Sequence, residues 1–230
     1  MGNLAFHTPN VHKFGRNTDG DTGDDVWDGS SPYPFPSAAA ETTIVSDDIA
    51  DTSDGTGART VEVQGLDADY EPIIETATLN GTNAVTLANQ FLRVYRAKVI
   101  TVGTGDINAG NIQVKHGSTV LAQITADIGQ TLMAVYTLPS GFYGWWTAWR
   151  VSADGNAAAK LAFQSREVGG AWQTKDLLLV DNSGTSSQAV VFQIFDRFPP
   201  KTDFRVRLLS GANSMDVVAQ FDMVLFNKPT

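Results

Sequence analysis

The chain has 230 residues, a formal net charge of −9 and no cysteine, with 42% hydrophobic and 18% charged residues. The lack of cysteine excludes disulfides, thiolate metal ligands and cysteine nucleophiles. No apolar run approaches the roughly 20 residues that a membrane-spanning helix needs, and the first ten residues lack the basic and apolar regions of a secretory signal. We therefore expect an acidic protein that does not act in a membrane.

The negative charge is concentrated near the N-terminus. Residues 1–58 contain two basic and ten acidic residues, a net of −8, whereas residues 59–230 contain 14 basic and 15 acidic residues, a net of −1. A surface that neutralises phosphates needs clustered lysine and arginine, and the sequence has no basic run. Nucleic acid is therefore not expected as a direct partner.

Residues 1–37 are predicted to form an extended acidic arm. Pro32, Pro34 and Pro36 forbid a helix and favour extended conformations for the residues before them. The arm nevertheless carries more large apolar side chains than a solvated linker does. Such a segment gains order by lying on its own domain or on a neighbouring subunit, and the second interpretation is favoured. The predicted partner-binding anchors are Phe6, Phe14, Arg16, Trp27, Tyr33 and Phe35.

Short alternating segments separated by glycine-rich turns follow the arm and predict an all-β protein. A hairpin is expected from Ile112–Lys115 and Thr119–Ile124 around His116-Gly117-Ser118, and Asn80-Gly81 gives a second hairpin signal. One short helical turn fits residues 84–91. The fold class is thus an extended N-terminal arm followed by one or two antiparallel, jelly-roll-like β-sandwich domains. Residues 38–127 are predicted to form a small β-domain and residues 128–230 a β-sandwich, with one continuous sandwich as the alternative. The remaining predicted strands are residues 60–63, 73–79, 92–102, 131–138, 145–152, 160–166, 172–180, 188–195, 204–209 and 217–226.

No motif indicates catalysis, a metal or a cofactor. The aspartates of residues 19–28 miss the EF-hand pattern, because Ser30 stands where the bidentate glutamate belongs. The three histidines, His7, His12 and His116, are too dispersed to predict a ligand set. The Gly-x-Gly sequences lack the third glycine and the following helix of a dinucleotide site, and no serine elbow occurs. Carboxylate pairs from distant strands cannot be recognised in a sequence alone, but Glu62 and Glu75 alternate with apolar residues as solvent-facing strand positions do.

The densest aromatic cluster lies in residues 141–149. Strict strand alternation places Trp145 and Trp149 on one face and Trp146 on the other. One face is expected to enter the core. The other would form an assembly contact or a carbohydrate-stacking surface, and Trp145, Trp146 and Trp149 are its candidate residues.

Seven turn and strand stretches between Phe14 and Gly141 have a distinctive sequence. They are residues 14–19, 25–29, 57–61, 65–70, 75–82, 91–94 and 129–134. These stretches resemble a group of virion structural proteins of tailed bacteriophages, often from aquatic hosts, and the similarity is weaker in the C-terminal sandwich. The resemblance implies a virion component without enzymatic activity or catalytic residues.

The resemblance implies a role in the particle. The favoured hypothesis is a capsid decoration or cement protein that clamps neighbouring major capsid subunits through its arm. A tail or neck component, such as a fibre-anchoring or collar protein, is the first alternative, and a carbohydrate-binding or glycan-cleaving receptor module is the second. The expected partners are other virion proteins and further copies of the chain, as a trimer or dimer, in a virion assembled in the bacterial cytoplasm.

Overall fold

A computed structural model describes residues 10–29, 32–154, 158–181 and 186–227. These residues form fifteen β-strands and no helix, so none of them belongs to a helix able to cross a membrane. The predicted all-β class is confirmed. The strands are β1 (Asn10–Gly20), β2 (Thr43–Ser46), β3 (Ala58–Leu66), β4 (Pro72–Thr78), β5 (Val85–Thr86), β6 (Arg93–Val102), β7 (Ile112–His116), β8 (Thr119–Ile124), β9 (Val135–Thr137), β10 (Phe142–Asp154), β11 (Ala159–Arg166), β12 (Gln173–Val180), β13 (Ser186–Phe198), β14 (Asp203–Ser210) and β15 (Met215–Asn227).

The chain divides into two compact units, and the second is inserted into the first. The first unit comprises Met1–Trp27 and Met133–Thr230, and the second comprises Asp28–Leu132. The two units meet in the sequence between Leu132 and Met133, and the sequence analysis drew a boundary after residue 127. The predicted arm, residues 1–37, is not a separate body, because its described residues are divided between the two units.

The first unit is a sandwich of two antiparallel four-stranded sheets. Their strand orders are β1-β15-β10-β13 and β12-β11-β14-β9. Strands from opposite ends of the unit pair with each other, as β1 with β15 and β9 with β14, while consecutive strands such as β9 and β10 lie in different sheets. This nesting of two Greek keys over eight strands is the jelly-roll arrangement.

Aromatic side chains fill the space between these two sheets. Trp146 stacks on Phe163 with ring centroids 3.9 Å apart, and Phe163 meets the edge of Phe221 at 5.1 Å. Trp149 is also buried and donates its indole N–H to Asp176 Oδ2 over 3.0 Å. Burial of such large side chains is the main favourable term in the stability of a sandwich.

The second unit contains a four-stranded sheet, β5-β2-β7-β8, and a three-stranded sheet, β4-β3-β6. The hairpin predicted around Gly117 is confirmed as β7 and β8. The helical turn predicted for residues 84–91 is wrong. Val85 and Thr86 instead pair with Ile44 and Thr43, as suits β-branched side chains.

The described part of the arm is built into its own chain, and whether it also contacts a neighbouring subunit stays a prediction. Strand β1 pairs with β15 from Asn10–Val224 to Gly20–Met215. The chain then crosses to the other sheet, where the Val26 N–H donates to the Val206 carbonyl over 2.9 Å. The unpaired edge of β15 is available within the same chain, so β1 satisfies its backbone groups without a second subunit.

Candidate assembly surface

Strands β1, β10, β13 and β15 present one face of their sheet to the core and the other to solvent. The alternation is regular along β15, where Val217, Ala219 and Phe221 are buried and the intervening residues are not. Hydrogen-bonded neighbours point to the same side of a sheet, so the observed register defines the outward set. Its rows include Phe14–Gln220–Arg150 and Val224–Trp145–Arg197.

Three exposed aromatic side chains lie on this outward side. Phe14 and Trp145 are each 36% exposed and Phe226 is 41% exposed. The Trp145 ring is 4.3 Å from that of Phe226 and 6.3 Å from that of Phe195. Large aromatic groups left in water are unfavourable for an isolated sheet and common at the centres of protein interfaces.

Arginines accompany these aromatic groups. Arg197 places its Cζ 4.7 Å from the ring centroid of Tyr143, which is the Cα partner of Phe226. Arg16 and Arg150 lie on the same side of the sheet, as does Asp222, which pairs with His12. Asp154 and Asp216 face each other at the far end of the sheet. Tryptophan, tyrosine and arginine are the residue types that contribute most to binding energy at protein interfaces. We call the following seven side chains the aromatic face: Phe14, Arg16, Tyr143, Trp145, Arg150, Arg197 and Phe226.

The structure brings only part of the predicted tryptophan cluster to this face. Trp146 and Trp149 are each 2% exposed and lie in the core, so the prediction that they separate onto opposite faces is wrong. The register between β10 and both of its neighbours shifts between Trp146 and Ala148. Against β15 the shift is a β-bulge, which adds one residue to β10 and reverses the alternation beyond it. Against β13 the unmatched residues are 192–195 of β13 itself. Trp145 alone remains as a surface candidate.

The arm anchors are likewise divided. Phe14 and Arg16 belong to the aromatic face, whereas Trp27 is 1% exposed in the first unit. In the second unit Tyr33 is buried and donates its hydroxyl to the Val94 carbonyl over 2.9 Å, and its ring packs 4.7 Å from that of Phe35. The buried anchors are thus structural parts of the chain and not a partner-binding surface. Phe6 lies outside the described residues.

A second feature, which the sequence reasoning missed, is the exposed edge of β13. Val191 is 79% exposed and Ile194 89% exposed, with Phe195 also open to solvent at 43%. Among the described residues no strand pairs with β13 on the side away from β10. Residues 186–195 contain no charged residue, proline or glycine. This uncharged run of ten residues is the sequence signal that identifies the exposed edge. We call residues 186–195 the β13 edge.

The buried charges of the first unit serve its structure. Asp25 is fully buried and accepts from Arg207 Nε over 2.8 Å, with Arg205 Nε 3.6 Å away. Burial lowers the pKa of Arg205 to about 10, and the nearby Asp25 carboxylate opposes this shift. Arg205 also places its Cζ 3.9 Å from the Trp172 ring centroid, and Arg166 lies 4.6 Å from it. The Trp172 ring is thereby engaged with protein groups.

One open groove of about 340 Å³ lies beside the ends of β11, β12 and β13. Glu167, Lys175, Asp196 and Arg197 line it with charges of both signs, and Phe198 contributes the aromatic part. Among the residues that the structure describes, no cluster of three or more histidine or acidic side chains is arranged to hold a metal ion. The groove therefore offers polar contacts of both charge signs beside one aromatic ring.

Comparisons with known proteins add little to this geometry. No family model matches the sequence, and no curated protein matches it. A structure of the infectious bursal disease virus Gx strain has 10% sequence identity over 96% of this chain and 71% of that chain, at a TM-score of 0.23. The corresponding structure of the Gt strain has 10% identity over 96% and 82% of the two chains, at a TM-score of 0.15. Likenesses at such TM-scores carry no argument, so the jelly-roll assignment depends on the strand order alone.

Proposed function

We propose that the chain is a non-enzymatic structural protein of a tailed-phage virion, and that it decorates or cements the capsid. The observation that carries the proposal is the aromatic face. Phe14, Trp145 and Phe226 are exposed on one sheet, among arginines, which is the composition of a protein-binding surface. The jelly-roll arrangement supports the proposal, because viral capsid domains commonly adopt it.

The mode of attachment differs from an arm that clasps a neighbour. Strand β1 contributes Phe14 and Arg16 to the aromatic face while its backbone remains paired with β15. The face is therefore pre-organised, and binding costs little conformational entropy. A preformed sheet face that repeats on every copy suits a protein that adds to a symmetric shell.

Copy number in the particle tests this role. Quantitative mass spectrometry of purified virions of the encoding phage should find the chain at hundreds of copies, in fixed ratio to the major capsid protein. A count of a small multiple of three or six would support the alternative of a tail or neck component. Absence from purified virions would contradict the proposal altogether.

The receptor-module alternative makes a different prediction. Trp145 is the tryptophan of the original cluster that is exposed, so stacking of a sugar ring would involve it. Host surface polysaccharide would then quench the tryptophan fluorescence of the native protein and not of a Trp145→Phe variant. We expect no glycan-dependent change, because the small pocket on this side of the sheet, of about 30 Å³, is lined by Arg150, Gln220 and Asp222 among others and does not include Trp145.

A further inference from the structure

We infer that the aromatic face binds an acidic surface of another virion protein, where Arg150 and Arg197 each pair with a carboxylate of that partner. The inference rests on the proposed function and deepens it, because it names the chemistry of the surface that the face recognises. The surroundings of these two guanidinium groups are the observation on which it depends.

Arg150 and Arg197 are exposed arginines that form no ion pair within the described part of the chain. The arginines of the first unit that lie away from the aromatic face each have a carboxylate nearby. Arg166, Arg205 and Arg207 lie 2.6, 3.6 and 2.8 Å from an aspartate oxygen. Within the described residues, the positive charge of Arg150 and Arg197 is therefore left to a group of a partner.

Neutral groups hold both side chains in place. The Cζ of Arg197 lies 4.7 Å from the ring centroid of Tyr143, and the Gln220 amide, with its oxygen turned toward Arg150, accepts from that guanidinium. These contacts orient the two arginines without compensating their charge. The planar guanidinium matches the two oxygens of a carboxylate, and an arginine that is already held loses less freedom when it binds one.

The aromatic part of the face has an excess of positive charge, although the whole chain carries a net charge of −9. Asp222 lies on the same side of the sheet but is paired with His12, and Asp154 and Asp216 lie at the far end. A locally positive surface on a negative chain orients its approach to an acidic partner, because the partner repels the rest of the chain. An acidic partner therefore favours contact through the aromatic face.

A protein surface is the occupant that the neighbouring side chains favour. Trp145 is the register partner of Arg197, and Phe14 flanks Gln220 on the side opposite Arg150, so each cation has an aromatic ring nearby. Phosphate backbones are instead held by clustered lysine and arginine. Arginine set among aromatic rings is typical of protein interfaces. The complementary surface carries carboxylates with apolar groups between them.

Co-sedimentation of the purified full-length chain with virions that lack it tests the role of the two arginines. Arg150→Glu combined with Arg197→Glu should weaken binding roughly tenfold or more. The matched control is Lys160→Glu combined with Lys115→Glu, which changes the net charge equally on β11 and on β7 of the second unit. This control should bind like the native chain. Equal loss in both double variants would overturn the inference.

A milder variant guards against misfolding of the charge-reversed protein. Arg150→Gln combined with Arg197→Gln adds no negative charge and should lose less affinity than the glutamate pair. Its binding should also depend less on salt than native binding when the ionic strength rises from about 0.05 to about 0.5 M. Native affinity and native salt dependence in this variant, with its fold intact by circular dichroism, would contradict the assignment.

The partner's carboxylates can be tested directly on the virions that lack the chain. Conversion of their exposed carboxylates to neutral amides should weaken binding of the native chain as strongly as the glutamate pair does. Unchanged binding to the amidated virions would overturn the inference. Dissociation of an oligomer of the purified chain by the glutamate pair would also overturn it, because the acidic surface would then belong to a second copy.

Failure of the inference can be distinguished from failure of the proposed function. If the arginine variants bind like the native chain while substitution of Trp145 and Phe226 weakens binding, the face is used but its partner is not acidic. The inference alone then fails. If the native chain does not bind these virions at all, the proposed function fails and the inference fails with it.

Discussion

The guanidinium of Arg207 donates from Nε to the buried carboxylate of Asp25 over 2.8 Å, and it thereby fastens the segment after β1 to strand β14. Arg205 lies beside the same carboxylate with 8% of its side chain exposed. Asp25 is thus the negative charge that faces two arginines at the point where the chain passes from one sheet of the jelly roll to the other.

Removal of this carboxylate should destabilise the first unit. Asp25→Ala leaves Arg205 and Arg207 without their shared countercharge, and loss of one member of a buried ion pair costs about 3 kcal/mol or more. Chemical denaturation should report this loss in the free energy of unfolding. The exposed Asp216→Ala serves as control and should change stability by less than about 0.5 kcal/mol. Equal stability of the two variants would contradict the structural role of Asp25.

Gly15 tests whether β1 is an integral strand. A Cβ added at Gly15 would collide with the backbone of Ala134 and of Val26. Gly15→Ala should therefore lower the free energy of unfolding by about 2 kcal/mol, as overpacking does. Gly141, which has open space around its Cα, is the matched control. If residues 10–20 were a free arm, both alanine variants would be equally stable.

The residues of β1 also explain why the sequence analysis did not predict this strand. Its inward positions are Lys13, Gly15 and Asn17, while Phe14 and the charged Arg16 point outward, so the usual hydrophobic alternation is reversed. The strands that were predicted later in the chain agree with the structure to within about four residues at each end, whereas β2 was not predicted and β5 was predicted as a helical turn. Short β-branched runs between turn residues were sufficient to identify the strands that were predicted.

Local sequence patterns could not predict which residues pair when they lie far apart in the sequence. The bridge between Trp27 and Met133 closes the insertion of the second unit, yet these residues lie far apart in sequence. The Asn80-Gly81 signal marks a real turn, with positive φ at Gly81. Strand β4, however, pairs with β3, which precedes it in the chain, and not with a strand that follows the turn. The aromatic face also required the register of four strands and the bulge after Trp146, neither of which a local pattern encodes.

Asp51 organises loops of the second unit. Its buried carboxylate accepts from Ser46 Oγ and from the backbone N–H groups of Ala58, Ala109 and Gly110 over 2.6 to 3.0 Å. Asp51→Ala leaves these donors without their acceptor and should cost about 3 kcal/mol of stability. Urea unfolding measures the effect, with the exposed Asp54→Ala as control. A loss below about 1 kcal/mol would show that the carboxylate does not hold these loops.

His116 should make stability depend on pH. Burial lowers the pKa of His116 below 6.5, and a hydrogen bond with the Phe91 backbone opposes part of this shift. Between the folded pKa and about 6.5 the unfolded chain binds more protons, so stability falls as the pH is lowered through that window. Unfolding midpoints at pH 7.5 and 5.5 should differ less in His116→Gln than in the native chain. The same difference in both proteins would refute the assignment.

Attachment to the particle through the aromatic face is the central claim, and co-sedimentation with virions that lack the chain tests it most directly. Trp145→Ser combined with Phe226→Ser should weaken binding roughly tenfold or more, as loss of interface hot spots does. An Ile49→Ser variant, altered at an exposed apolar residue of the second unit, should bind like the native chain. Native-level binding by the doubly substituted protein, with its fold intact by circular dichroism, would contradict the claim.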